Sequence, residues 1–243
     1  MRLYHAEGSP HSAAVRIALA EKGLVAQERA IDLRAFEQHR PEYLAVNPAG
    51  QVPVLEDGRC GITETLHILL YLEETCPDPA LGGASPQARY QVLKWGKYVE
   101  THIAPNLAIL LWSRRDPDAE RLMGANFVEL PQERRALWQA AAAGFPEEEI
   151  EQARLAIARA ADRLAADLMT TDPARPAWLA GGSFSLADIA VYPHAARFAA
   201  AGIETPAPVA DWLRRMAERP SVASDARRDP IIATMGPERA RWG

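Results

Sequence analysis

The sequence predicts an α/β unit followed by an all-helical unit, and three observations carry that reading. Strand and helix signals alternate over residues 1–76. A stretch rich in proline and glycine, PDPALGGASP, follows at once. Beyond it, apolar residues recur only at helical spacing. The expected division is therefore residues 1–76, a linker over 77–85, and a helical domain over 86–243.

Taken in order, RLYHA is a short strand. PHSAAVRIALAEK is a helix with an apolar face of Ala14, Ile17, Ala18 and Leu19, stopped by Gly23. AQERAID is a weakly apolar strand, expected at a sheet edge. PEYLAVN is a short helix. VPVLED and GRCGIT are two strands about an Asp57-Gly58 turn. TLHILLYLEETC closes the unit as a helix, so the order is β-α-β-α-β-β-α. A helix between strands implies a parallel pair, and the hairpin adds antiparallel strands, giving a mixed sheet covered by helices.

After the linker, QARYQVLKWGKYVETHIAPNLAILLW is a long helical pattern. Tyr90, Leu93, Lys97 and Glu100 lie near one stripe, and Val92, Trp95, Val99 and Ile103 near another. Pro105 should kink or divide it. PEEEIEQARLAIARAADRLAADLM is a second long helix whose leading glutamates suit the helix dipole. SLADIAVYPHAARFAAAG and VADWLRRMAERP are two more. Residues 116–147, punctuated by Pro117, Pro131, Gly144 and Pro146, read as an irregular excursion of the kind that is functional or mobile.

Composition excludes several function classes. The chain has 243 residues, 48% hydrophobic and 24% charged, as in ordinary globular proteins. Net charge is −5 with no run of Lys or Arg, so neither nucleic acid nor an anionic membrane is an expected partner. The first residues enter a strand pattern with no apolar signal segment, and the longest apolar stretch contains Pro105. A cytoplasmic location with Cys60 and Cys76 as free thiols is expected. There is no Cys-x-x-Cys, and the six histidines lack ligand spacing, so no metal site is expected.

Four features of the first unit point to one kind of ligand. Ser9-Pro10 suits the N-cap and first position of a helix, with Ser12 one turn on; the serines either satisfy backbone N–H groups or hold an anion there. Gln51-Val52-Pro53 opens a strand with a candidate cis bond, which would let the Val52 backbone pair with a peptide ligand. Glu64-Thr65 precedes a helix: the hydroxyl and helix start suit a carboxylate, and Glu64 an ammonium. His39 sits in FEQH, ahead of the NPAGQVP segment.

In order and spacing these segments resemble the cytosolic glutathione S-transferases along nearly the whole chain. SPHSAAVRIALAEKG, NPAGQVPVLEDG and ITETLHILLYLEE are similar to that family's glutathione-site segments, and SFSLADIAVYP to its capping-box signature with Ser185 and Asp188 as a structural pair. The resemblance implies a thioredoxin-like N-terminal domain, a helical C-terminal domain holding a hydrophobic electrophile, and a homodimer. It implies that Glu64 and Thr65 take the γ-glutamyl end of glutathione. Val52, before a cis Pro53, would pair with the cysteinyl backbone, and Gln51 and His39 would lie near the glycine carboxylate.

The thiol would then meet the first helix. Free thiols have a pKa of about 8.5, and a helix N-terminus with a hydroxyl donor favours the thiolate. The serine-type classes place that hydroxyl at Ser9. A bacterial branch resembling the lignin β-etherases places an Asn-Ser pair near His11-Ser12, where this chain has His. Ser9 is the leading donor, with Ser12 and His11 as the other candidates. The segment FEQH and the excursion also resemble that branch, with Tyr98, His102 and Trp112 as pocket-lining candidates. The expected activity is attack of the glutathione thiolate on a hydrophobic, aromatic electrophile, extending to aryl-ether cleavage. A non-enzymatic glutathione-binding or regulatory protein on the same fold is the alternative. A thiol oxidoreductase would need a cysteine where Ser9 stands.

Overall fold

Alternation in RLYH buries Leu3 and His5 and leaves Arg2 exposed, as a strand facing a core on one side should. This strand, β1 (Arg2–His5), lies inside a four-stranded sheet of order β2-β1-β3-β4. The computed structural model describes residues 1–58, 60–113, 132, 144–169 and 177–229. β2 (Gln27–Ala30) runs parallel to β1, while β3 (Val54–Glu56) and β4 (Gly61–Thr63) are antiparallel additions. All four residues of β2 are exposed, and its charged Glu28 and Arg29 suit the edge it forms.

The parallel pair needs a crossover, and α1 (Pro10–Glu21) supplies it. Its end is a Schellman motif: the Leu24 N–H donates to the Leu19 carbonyl at 2.8 Å and the Gly23 N–H to that of Ala20 at 3.1 Å. Gly23 takes φ +62 there, which explains the glycine. A 3₁₀ turn (Glu37–His39) leads into α2 (Pro41–Leu44), and α3 (Thr65–Thr75) follows the hairpin. Between α3 and the next helix the chain is anchored by a buried cation. Lys22 Nζ donates to the carbonyls of Cys76 at 2.7 Å and Pro79 at 3.0 Å. It also pairs with Glu73 at 2.7 Å, whose carboxylate accepts the Leu81 and Gly82 N–H groups. An ammonium this buried persists because each of its bonds goes to an oxygen.

Among the described residues the rest is helical, apart from one isolated bridge between Trp178 and Gly181. α4 (Pro86–Tyr98) is capped by Ser85, whose Oγ accepts the Ala88 N–H at 3.1 Å. The expected break before Pro105 takes the form of a π-helical turn (Val99–Ile103), and Pro105 sits in the first turn of α5 (Ala104–Trp112), where a missing N–H costs no helical bond. α6 (Glu147–Leu168) buries Ala153, Ile157, Ala160, Ala161, Leu164 and Leu168, one stripe of a 3.6-residue period. The expected excursion over 116–147 lies almost wholly outside the described residues. α7 (Leu186–Ala195), α8 (Ala207–Ala217) and α9 (Pro220–Ala226) complete the order.

All ten residues of α7 are buried, and it packs on both α1 and α4. One apolar core therefore runs from Leu3 and Ile17 through Leu72 and Trp95 to Ile157, Phe198 and Trp212. α3 approaches α4 so closely that a Cβ on Gly96 would lie 2.5 Å from Leu66 Cδ1. No helix among the described residues is long and apolar enough to cross a membrane.

Candidate active site

The sheet register brings the singled-out segments to one end of the sheet. Tyr4 pairs with Val54 across antiparallel strands, so the end of β1 lies beside the start of β3. Val54 pairs with Thr63, so the end of β4 lies beside it too. The loop into α1, the Val52-Pro53 segment and the start of α3 are thereby neighbours. A direct contact closes the arrangement: His11 Nδ1 lies 3.1 Å from Thr65 Oγ1, joining the first turns of α1 and α3.

Ser9 is the N-cap of α1, with Pro10 in the first turn. Its Oγ accepts the Ser12 N–H at 3.2 Å. That bond uses a lone pair of the hydroxyl and leaves its proton available to an external anion. Ser12 is placed differently. Its side chain is fully buried, and its Oγ accepts the Ala6 N–H at 3.1 Å, below the helix rather than at its open end. Of the two hydroxyls, that of Ser9 is the one at the N-cap, less buried than that of Ser12.

Glu64 occupies the N-cap position of α3 at φ +65, ψ +125, a conformation that costs a side-chain-bearing residue about 1–3 kcal/mol. Its side chain makes no capping bond and is exposed, while Thr65 behind it is buried. Strain of that kind at a helix N-terminus, beside a free carboxylate, suits recognition of an amino-acid head group. The Val52-Pro53 bond is cis, and the Val52 N–H and C=O make no backbone hydrogen bond among the described residues. The Gln51 carbonyl accepts from Tyr43 Oη at 2.6 Å and Asn47 Nδ2 at 2.8 Å, which fixes the segment and leaves the Gln51 side chain exposed. His39 is buried, its ring stacked 6.2 Å from that of Phe36. The ring of Tyr98 stacks on His102 at 4.6 Å, and the Arg163 guanidinium of α6 lies 4.7 Å from it. These contacts join α4 to α6. Among the described residues no group of His, Cys, Asp and Glu could hold a metal ion.

Behind the loop lies a layer that sequence reasoning did not single out. Arg16 pairs with Asp225 at 2.5 Å, and Arg197 with Asp229, all four nearly inaccessible to solvent. The ring of His194 meets that of His11 edge-on at 4.7 Å. The available signal was an arginine inside an apolar run, at AAVRIAL and HAARFAA, because a buried cation requires a partner.

Three histidines here are held neutral. Burial, then Arg197, lowers His11 from 6.5 to about 4. Burial, then His11 and Arg197, puts His194 well below its usual range, and burial with Arg16 lowers His5. A base whose pKa falls on folding binds fewer protons folded than unfolded. Its contribution to stability is therefore complete above the unfolded value of about 6.5 and is lost as pH drops toward the folded value. Thermal melts should lose roughly 5 °C between pH 7 and pH 5. Asp188, whose carboxyl burial raises to about 6, acts in the opposite direction over the same window, so a His194→Phe variant should lose less than wild type, and an equal or larger loss contradicts the neutral histidine cluster.

Comparison with known proteins identifies the family of the chain. Residues 3–80 match the glutathione S-transferase N-terminal domain, and residues 147–215 the C-terminal domain. Glutathione S-transferase F10 of Arabidopsis thaliana is 32% identical over 181 residues, covering 73% of this chain and 71% of the plant protein. The chain belongs to the glutathione S-transferase family. Among its relatives, LigF of Sphingobium sp. strain SYK-6 is 29% identical over 201 residues, 78% of this chain and 75% of LigF. The crystal structure of that protein, described as a β-etherase, aligns over 93% of this chain and 98% of its own with a TM-score of 0.79 and 25% identity. A probable maleylacetoacetate isomerase of Vibrio cholerae is 41% identical over 100 residues, 40% of this chain and 46% of that protein. The thioredoxin-like N-terminal domain and the all-helical remainder are those of the glutathione S-transferase fold.

Proposed function

We propose that this member of the family is a glutathione transferase in which the Ser9 hydroxyl and the N-terminus of α1 hold the glutathione thiolate for attack on an aromatic electrophile. The observation that carries the reading is the Ser9 hydroxyl, whose proton is left over after its oxygen caps the helix. Glu64 and Thr65 take the γ-glutamyl head group. Val52 pairs with the cysteinyl backbone. Gln51 and His39 lie toward the glycine carboxylate. His11 sets Thr65 rather than the sulfur: with Nδ1 protonated it donates to Thr65 Oγ1, and the threonine proton is then free for the ligand carboxylate. Residues 1–76 supply the glutathione site and residues 86–243 the electrophile pocket, and the chain acts as a cytoplasmic homodimer.

With an aryl ether, the sulfur forms a C–S bond as the C–O bond breaks. The phenolate leaves with the electron pair and takes its proton from solvent. The likeness to a β-etherase favours this substrate class. The stretch similar to an isomerase favours a second outcome of the same thiolate, addition to an activated alkene. Incubation with glutathione and either a β-aryl ether or a conjugated alkene diacid separates the two by product. Glu64→Ala should weaken glutathione binding roughly ten- to hundredfold by calorimetry. Unchanged affinity would remove Glu64 from the head-group role.

A further inference from the structure

The arginine after α7 has a role that its burial alone does not explain. Arg197 is 1% exposed and Asp229 is 2% exposed. A buried pair of this kind gives little net stability against an apolar replacement, because desolvation offsets the attraction. What this pair does supply is direction. Arg197 Nη2 donates to the Gly8 carbonyl at 2.8 Å, and Nη1 to the carbonyl of Pro193. Gly8 stands at φ +71 immediately before Ser9. The guanidinium therefore ties the residue next to the N-cap hydroxyl to the buried face of the helical half.

We propose that Arg197, locked by Asp229, is a positioning residue that holds the Gly8 carbonyl and so keeps the Ser9 hydroxyl in place for the ligand sulfur; this rests on the thiolate reading given above. The rest of the loop is restrained in the same manner. The Ser9 N–H donates to the Ala6 carbonyl at 3.3 Å, which also accepts from Arg16 Nη1 at 3.3 Å. Arg16 is in turn held by Asp225. Two arginines, each paired with a carboxylate from the C-terminal part of the described chain, thus clamp the loop between β1 and α1. Glu7, at the outer edge of this loop, is held by Arg228, which also binds Glu28. Because Asp229 balances the Arg197 charge, and His11 and His194 beside it are neutral, the effect on the sulfur is geometric. A displacement of about 1 Å in such a donor costs up to a hundredfold in rate.

The test compares wild type, Arg197→Met and Asp229→Asn in the full chain. Three quantities are read: glutathione affinity by calorimetry, thiolate absorbance of bound glutathione against pH, and amide exchange of residues 8–12. Arg197→Met should raise the bound thiol pKa by about one unit and lower kcat about tenfold. Glutathione affinity should change less than about threefold, since the head-group site is not touched, and exchange at residues 8–12 should accelerate. Asp229→Asn keeps an acceptor for the guanidinium but loses its charge, and should move all three readouts less in the same direction; it decides the matter if Arg197→Met does not fold. A folded variant with wild-type thiol pKa and wild-type exchange overturns the positioning role. A wild-type protein that binds glutathione without lowering its thiol pKa overturns the thiolate reading instead, and the exchange comparison still decides whether Arg197 anchors the loop.

Discussion

Ser9→Ala should raise the thiol of bound glutathione most of the way back to its free pKa of about 8.5 and slow turnover roughly tenfold at neutral pH. The size follows from the chemistry. Depression of a thiol pKa by about two units corresponds to about 2.7 kcal/mol of preference for the thiolate. The substitution removes the side-chain donor and leaves only the N-terminus of α1, whose Ser12 N–H also loses its cap. Glutathione affinity should change little, because Glu64, Thr65 and Val52 are untouched. Ser12→Ala is the informative contrast. It strips the buried Ala6 N–H of its acceptor and should cost about 1–3 kcal/mol of stability, with a smaller effect on the thiol. A thiol pKa that rises in Ser12→Ala but not in Ser9→Ala would exchange the two roles.

Asp188→Ala should cost about 3–5 kcal/mol of folding stability in denaturant titration. The carboxylate is fully buried at the start of α7. It accepts from the Leu179 N–H at 3.0 Å, the Ser185 N–H at 2.9 Å, Ser185 Oγ at 2.9 Å and Trp212 Nε1 at 2.9 Å. Burial drives its pKa up to about 6, and these bonds, which favour the charged form, act against that. Removing the side chain strands four donors in the buried core. Because α7 carries His194 and leads into Arg197, a loosened cap reaches the loop before Ser9 as well. A variant within about 1 kcal/mol of wild type would show that the cap is not what holds α7 in place.

How much of this was legible in the sequence depended on how local the cause was. Periodicity and punctuation are local, so the β-α-β-α-β-β-α order, the Asp57-Gly58 turn, the Gly23 stop and the Ser185–Asp188 capping box were all readable and are all present. Pro105 announced a break but not its form, since a π turn depends on how α4 and α5 each pack rather than on proline alone. Of the candidate hydroxyls, spacing set Ser9 and Ser12 side by side, and only tertiary burial separates an open N-cap from a hydroxyl tucked under Ala6. His39 reads as a loop histidine, yet stacking on Phe36 buries it. The Arg16–Asp225 pair joins residues 209 positions apart, and Arg197 meets Gly8 across 189, separations at which no spacing rule operates.

The most direct measurement is the ultraviolet thiolate absorbance of glutathione bound to the wild-type protein, followed from pH 4 to pH 10. The account predicts half-ionisation about two units below the free value of about 8.5. Glutathione that binds and ionises only near 8.5 would contradict it, and would leave a glutathione-binding protein that does not activate the thiol.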